Sequence, residues 1–319
     1  INHTILITGG TGFAGSHLVE SLLDQGYDPN QVHVTSFGSR DSFVSQLLPN
    51  TNIHALDLSN SVQTCQVFDL VKPSQIYHLA AYSAVGSSFD QLKKVLEVNT
   101  TLQLSVLTAI KEVVPRARLL AIGSALEYQS SPDPLIELHP LGPISPYAVS
   151  KVTQEMLAYS FSQHSKLDVV RVRPFNHYGE RQAPGFVVAD FAEQIALMSG
   201  NDQEEQNTIL VGNLAAIRDL TYVKDIVNGY IILMNQGQTG EVYNLGSGIG
   251  VTIEEILRTL ILLSGKNIKI EVDQQKFRPV DVPKVIADTS KIKELGWKPT
   301  FTLKEGLLKT LRSYQVTSK

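Results

Sequence analysis

The sequence predicts an α/β protein built on a doubly wound parallel sheet with a smaller C-terminal lobe. Three observations carry this. A short apolar, β-branched run, Thr4–Thr8, feeds straight into the loop Gly9-Gly10-Thr11-Gly12-Phe13-Ala14-Gly15. Five strand-like runs follow one another up to Ile122, most of them trailed by residues at helical spacing. No internal repeat or low-complexity tract interrupts them. At 319 residues the chain is long enough for about two lobes. We expect residues 1–172, with about 213–245, to form the first, and 173–212 with 246–319 the second.

Each element has a local reason. Thr4–Thr8 reads as a buried parallel strand, and Ser16–Gln25 as the helix after the glycine loop, with Leu18, Val19, Leu22 and Leu23 on one face. Strand, glycine loop and helix form the dinucleotide arrangement. Gly9 allows the tight turn, Gly12 lets the backbone approach a pyrophosphate, and Gly15 lets helix pack on strand. The second strand is Gln31–Thr35. An acidic residue at its end would hold a ribose 2′-hydroxyl, but here Thr35, Ser36 and Arg40 precede the first carboxylate, Asp41. Hydroxyls with an arginine suit a 2′-phosphate, so NADP(H) is favoured, with NAD(H) as the alternative. A third strand, Asn52–Leu58, brings Asp57 within range of an adenine amino group. Helix Val62–Val71 stops before Pro73, strand Gln75–Leu79 runs into Ala80-Ala81, and helix Leu92–Val114 contains Asn99. Arg118–Ile122 is the fifth strand and delivers Gly123-Ser124. In such sheets ligands sit beyond the carboxyl ends of the strands, which gathers the glycine loop, Ala80-Ala81 and Ser124 into one cleft.

The next helix starts at Ser145-Pro146, a hydroxyl N-cap followed by proline at the first position. Tyr147 and Lys151 lie one turn apart on it. An ammonium beside a phenol favours the phenolate, so the tyrosine is expected to titrate below its ordinary value of about 10 and to handle a proton on a carbonyl or alcohol oxygen.

Composition excludes other classes. Apolar residues make up 43% and charged residues 18%, as in an ordinary globular protein. The net charge of −4 offers no basic field for nucleic acid or anionic membranes. The single cysteine, Cys65, permits no intrachain disulfide and no multi-cysteine zinc site. No apolar run is long enough to span a bilayer, and the first residues enter a strand without a signal-peptide pattern. The expected compartment is the cytoplasm.

With the glycine loop, His78-Leu79-Ala80-Ala81, Ser124 and Tyr147/Lys151 in this order, essentially the whole chain resembles the extended short-chain dehydrogenase/reductase family that modifies nucleotide sugars. The resemblance implies a Rossmann-type first domain and a catalytic trio of Ser124, Tyr147 and Lys151, with Asn99 completing a proton network. Arg173–Gly179, Gln182–Val188, Gly212-Asn213-Leu214, Arg218-Asp219 and Ala81–Gly86 are similar to the branch of GDP-mannose 4,6-dehydratases and, more closely, GDP-4-keto-6-deoxy-mannose reductases. It implies a GDP-sugar pocket lined by Asn176, Val187, Arg218 and Arg278, and a homodimer joined through helices Leu92–Val114 and Pro146–Gln163. Ser83, Val85, Ser124, His177 and Asn213 are further candidates for substrate contact, although His177 serves equally well as a structural histidine. Phe13, Ala14, Leu58, Leu79 and Pro174, together with Tyr147 and Lys151, complete the expected cofactor contacts.

The two arginines have a physical reason as well, since guanidinium forks match phosphate oxygens. Arg218 is expected in a short turn between strand Thr208–Val211 and the segment Leu220–Val223, and Arg278 in a loop after strand Ile268–Val272. Elsewhere, Asp202–Gln206 reads as a polar loop, Asp225–Met234, Thr252–Leu263, Asp288–Leu295 and Leu303–Leu311 as helices, and Val242–Gly246 as the last central strand. Trp297 is expected to pack within the smaller lobe.

The pattern departs from the dehydratases at one place. They carry an acid two positions before the tyrosine that follows the strand, and here that slot is Leu126, with Glu127 one position late. In extended backbone such an offset turns a side chain to the opposite face. Elimination of water across C5 and C6 needs that acid, whereas reduction of a C4 ketone does not. The sequence therefore favours NADPH-dependent reduction of a GDP-4-keto-6-deoxyhexose. A 4,6-dehydratase, a C4 epimerase and, from another class, a non-catalytic NADP-binding scaffold or sensor are the alternatives.

Overall fold

The structure is a computed structural model and describes residues 3–38, 43–83, 89, 91–198, 207–277 and 282–317. In chain order the elements are β1 (Ile5–Thr8), α1 (Phe13–Asp24), β2 (Val32–Ser36), α2 (Val44–Leu47), β3 (Ile53–Ala55), α3 (Ser61–Val71), β4 (Gln75–His78), α4 (Leu92–Val113), β5 (Arg118–Ile122), α5 (Pro146–Ser165) and β6 (Asp168–Pro174). They continue with β7 (Asn176–Tyr178), α6 (Val187–Leu197), β8 (Asn207–Val211), β9 (Ile217–Tyr222), α7 (Val223–Gln236), β10 (Val242–Leu245), β11 (Gly250–Thr252) and α8 (Ile253–Ser264). β12 (Ile268–Val272), β13 (Lys284–Val285), α9 (Ser290–Glu294) and α10 (Leu303–Thr317) close the chain.

Seven strands form one sheet in the order β10-β6-β5-β4-β1-β2-β3, with every neighbouring pair parallel. Both faces are covered, which is why the strands read as unbroken apolar runs. Leu6, Ile76, Leu119 and Val169 point to one face and meet Phe68 of α3, Val106 and Ile110 of α4 and Ala158 of α5. Their neighbours Ile5, Ile7, Tyr77, Leu120 and Val170 point to the other, against Leu18 and Leu22 of α1 and Ile226, Tyr230 and Leu233 of α7. The chain leaves β1 first towards β2 and later returns on its other side through β4, so the crevice opens at the carboxyl ends of β1 and β4.

The remaining strands build two smaller sheets. β9 pairs with β7, β11 and β13, and β8 pairs with β12. Trp297 is 2% exposed and packs on α7, beside the seven-stranded sheet, with its indole N–H donating to Asp225 O.

Two expectations are corrected. Arg218 is not in a turn but in β9, opposite Val251 and Val285, because Asp219 beside it turns inward and binds two separate backbone segments. The third strand is shorter than expected. It ends at Ala55, since Asp57 accepts from Ser59 N and Asn60 caps α3 through Gln63 N, which starts the helix sooner. Arg40, Val85, Arg278 and the loop Asp202–Gln206 lie outside the described residues.

Candidate active site

The glycine loop joins β1 to α1. Gly9 has φ +67°, which an L side chain rarely adopts. A Cβ on Gly15 would lie 2.7 Å from Gly10 Cα and nearer still to Gly9 O, both backbone, so α1 can pack this closely only with glycine there. α1 begins at Phe13, three residues earlier than expected, because Gly12 serves as its N-cap without a capping side chain. The first N–H groups of α1 therefore face the crevice without a side-chain partner, and a Cβ on Gly12 would press on Gly9 O at 3.2 Å. This fits the pyrophosphate of a dinucleotide. Thr35 Oγ1 accepts from Gly9 N, which ties β2 to the loop. Ser36 is buried and its hydroxyl has no partner. Across the crevice, Leu79, Ala80 and Ala81 continue β4, with Ala80 N donating to Thr8 Oγ1. Leu58 is buried near this edge, whereas Asp57 is exposed.

Ser124 follows β5, and Tyr147 lies in the first turn of α5, whose N-cap Ser145 accepts from Ala148 N. The two side chains are neighbours at the crevice. The expected depression of the Tyr147 phenol is not found. Burial, then the nearby Glu127, push it up to about 12, and Ser124 opposes them. The reason is where the ammonium goes. Lys151 Nζ donates to Ile122 O at 2.6 Å and to Gln154 Oε1 at 3.0 Å, and burial lowers its pKa to about 8. Two of its three N–H bonds are thereby committed, leaving one for a ribose or a proton relay. Asn99 differs from the expected role too. Its Oδ1 accepts from Tyr82 N, and its Nδ2 donates to Ser150 Oγ and Tyr82 O. Both amide hydrogens are used, so Asn99 pins α4 to α5 and to the chain leaving Ala81.

Beneath the trio lies a cluster that the sequence reading did not single out. Residues 125–127 form a 3₁₀ turn rather than extended backbone, so Glu127 is rotated inward instead of to the opposite face. It is fully buried, and its Oε1 accepts from Ser124 N at 2.6 Å. Glu155, also buried, accepts from Arg171 Nη1 at 3.0 Å and from Arg173 Nε and Nη2 at 2.8 and 2.6 Å. A signal existed: Tyr147, Lys151 and Glu155 recur every four residues along α5, and Arg171 and Arg173 share one face of β6. His78 was quoted only as part of a motif. It is buried, bonded to Thr8 Oγ1 through Nδ1, and kept neutral by burial and by Lys151, with Nε2 unpartnered.

The expected substrate contacts fall into two groups. Pro174 ends β6, and His177 stacks on Phe13 at 5.8 Å with Nδ1 on Phe175 O, so His177 meets the glycine loop. Asn176 and Ser83 are exposed, and Val187 opens α6 half-buried. Asn213 accepts from Ala215 N, and Arg218 Nη1 donates to Ile217 O. Among the described residues no cluster of His, Cys, Asp or Glu could hold a metal ion, and no helix is long and apolar enough to cross a membrane.

Comparison with known proteins adds to this geometry. Residues 6–310 match the family model described as GDP-mannose 4,6 dehydratase. The GDP-mannose 4,6-dehydratase sdnI of Sordaria araneosa is 30% identical over 93% of this chain, which spans 58% of that protein's length. The GDP-6-deoxy-D-mannose reductase of Pseudomonas aeruginosa is 28% identical over 98% of this chain and 97% of its own. The solved structure of RMD from Pseudomonas aeruginosa complexed with NADPH superposes with a TM-score of 0.85 at 26% identity, covering 99% of this chain and 100% of the other. A glycine loop closed by backbone contact, a serine and a tyrosine side by side at the same crevice, and a match over nearly the whole length lead to one conclusion: the chain belongs to the GDP-mannose 4,6 dehydratase family of extended, nicotinamide-dependent short-chain dehydrogenases/reductases.

Proposed function

We propose that this protein reduces the C4 ketone of a GDP-4-keto-6-deoxyhexose to the GDP-6-deoxyhexose, using NADPH. The observation that carries the choice of reaction is Leu126. The slot from which a dehydratase supplies its general acid/base holds an alkyl side chain, and the adjacent carboxyl is buried, with Oε1 on Ser124 N and Oε2 3.5 Å from Arg173 Nε. Tyr147 has the state a reductase needs. A phenol held up at about 12 is protonated at neutral pH and can give its proton to the oxygen that becomes the C4 hydroxyl. Ser124 orients that oxygen, and Lys151 holds the ribose with its remaining N–H. When bound, the nicotinamide supplies the hydride. The glycine loop, the N–H groups of Phe13 and Ala14, Ala80-Ala81 and Pro174 hold and orient the cofactor. The preference for NADP(H) rests on Ser36 and Arg40 and is supported by the NADPH bound to the reductase relative.

The pocket for the GDP-sugar is assigned to Ser83, Val85, Asn176, Val187, Asn213, Arg218 and Arg278, between the first lobe and the one formed by residues 173–212 and 246–319. A homodimer through α4 and α5 is supported by Leu104, Val149, Met156 and Tyr159, which are 38–42% exposed on these two helices.

Two incubations test the reaction. With GDP-mannose alone we expect no consumption. With its 4-keto-6-deoxy derivative and NADPH we expect nicotinamide oxidation and a GDP-6-deoxyhexose product. Consumption of GDP-mannose alone replaces the reductase with a dehydratase, the second reading, which the family model itself favours. Tyr147→Phe should lower turnover at least a hundredfold, about the range assigned to a positioned proton donor, with NADPH affinity retained. Retained turnover would remove the proposed role of Tyr147.

A further inference from the structure

Glu127 and Glu155 are two buried carboxyls that touch, and only one has a full set of donors. Glu155 takes three N–H bonds from Arg171 and Arg173. Glu127 takes one, from Ser124 N, while its Oε2 is buried without a partner and Arg173 Nε stands off at 3.5 Å. A buried carboxylate oxygen facing another carboxylate is strongly disfavoured, whereas a protonated one can donate to it. A hydrogen bond between two neighbouring carboxyls needs one proton between them. Their placement is tight. A Cβ on Gly123 would stand 2.5 Å from Glu127 Oε1 and 3.2 Å from Glu155 Oε2, so both oxygens pack against the residue before Ser124.

We propose that Glu127 is a positioning residue of the active centre: a neutral carboxylic acid that donates to Glu155, receives Ser124 N, and so locks the end of β5 beneath Tyr147 without placing a second negative charge there. The charged and titratable groups around it are consistent with this. Tyr147, Lys151 and Glu155 face it from α5 and Arg173 from β6, with Arg171 behind Glu155. Glu137, on the loop before α5, offers its carbonyl to Arg173, and His78 of β4 lies against Lys151. Burial and Glu155 both push the Glu127 carboxyl well above the usual range, while the arginines hold Glu155 below it. A charge on Glu127 is, after burial, the second cause that raises the Tyr147 phenol and weakens it as an acid. The neutral form avoids this.

The proposal rests on Tyr147 as the proton donor, but its first test does not. Infrared difference spectra at neutral pH between the protein and Glu127→Gln should show a protonated-carboxyl stretch lost in the variant. A spectrum that lacks this band, or in which a carboxylate band is lost instead, overturns the neutral acid. The second test is kinetic. Glu127→Gln can still receive Ser124 N through Oε1 and donate to Glu155 through Nε2, so kcat should stay within about threefold of the parent. Glu127→Leu fills the space but leaves both partners unpaired, and kcat should fall at least tenfold at similar NADPH affinity. Equal kcat for the two variants overturns positioning. If the parent itself turns over no 4-keto substrate, the proposed function fails while the infrared result still decides the state of Glu127.

Discussion

Two buried carboxyls, Glu127 under the catalytic crevice and Asp219 in β9, show how one chemical group serves different ends. Both are fully buried and both are pushed upward by burial. Asp219 answers burial with donors: Ser247 N and Oγ on Oδ1, and Gly248 N and Ala287 N on Oδ2. Those donors come from chain segments far apart in sequence, so the side chain clasps β9 to the turns before β11 and after β13. Glu127 has a single close donor and a carboxyl neighbour. A saturated carboxylate holds backbone together; an under-donated one keeps its proton and stays available to tune what lies beside it.

The largest effect that would sharpen this contrast is on the crevice side. Gly15→Ala forces a methyl into the backbone of Gly9 and Gly10, so NADPH affinity should drop a hundredfold or more, as read by fluorescence titration. Asp219→Asn should do the reverse. It turns an NH₂ towards backbone donors and should cost about 2–4 kcal/mol in urea unfolding, with NADPH affinity nearly unchanged. If it weakened NADPH binding as strongly as Gly15→Ala, the separation of clasp and crevice would be lost.

The smallest expected effect concerns acid. His78 takes up a proton near 6.5 when unfolded but only near 3 when folded. Between these values the unfolded chain binds the extra proton, so stability present above pH 6.5 declines as the pH falls. The decline should reach roughly 2 kcal/mol by about pH 5 from this residue alone. Thermal or urea unfolding of His78→Gln should show a flatter acid limb than the parent. An unchanged limb would assign acid sensitivity elsewhere, to His33 first, which burial lowers to about 4.

Much of the fold was legible because its signals are local. Glycine spacing, β-branched runs and Ser145-Pro146 each fix a backbone choice within a few residues, and β1, β2, β4 and β5 fall where those signals lie. The misread features depend on partners distant in sequence. Arg218 sits in a strand because of β11 and β13, and the Tyr147 phenol rises through burial and Glu127 while Lys151 turns to Ile122 O. The order of residues 124–128 recorded that the acid was displaced, but not that a 3₁₀ turn would bury it.

The sequence by itself determined the dinucleotide loop, the helical pairing of Tyr147 with Lys151 and the absence of an acid at residue 126, since each needs only neighbours a turn or less away. Only the tertiary structure decided the electrostatics. Which carboxyl meets an arginine, which meets another carboxyl, and where an ammonium spends its protons depend on how α5, β5 and β6 come together, and at these distances in a buried site that arrangement governs charge more than residue type does.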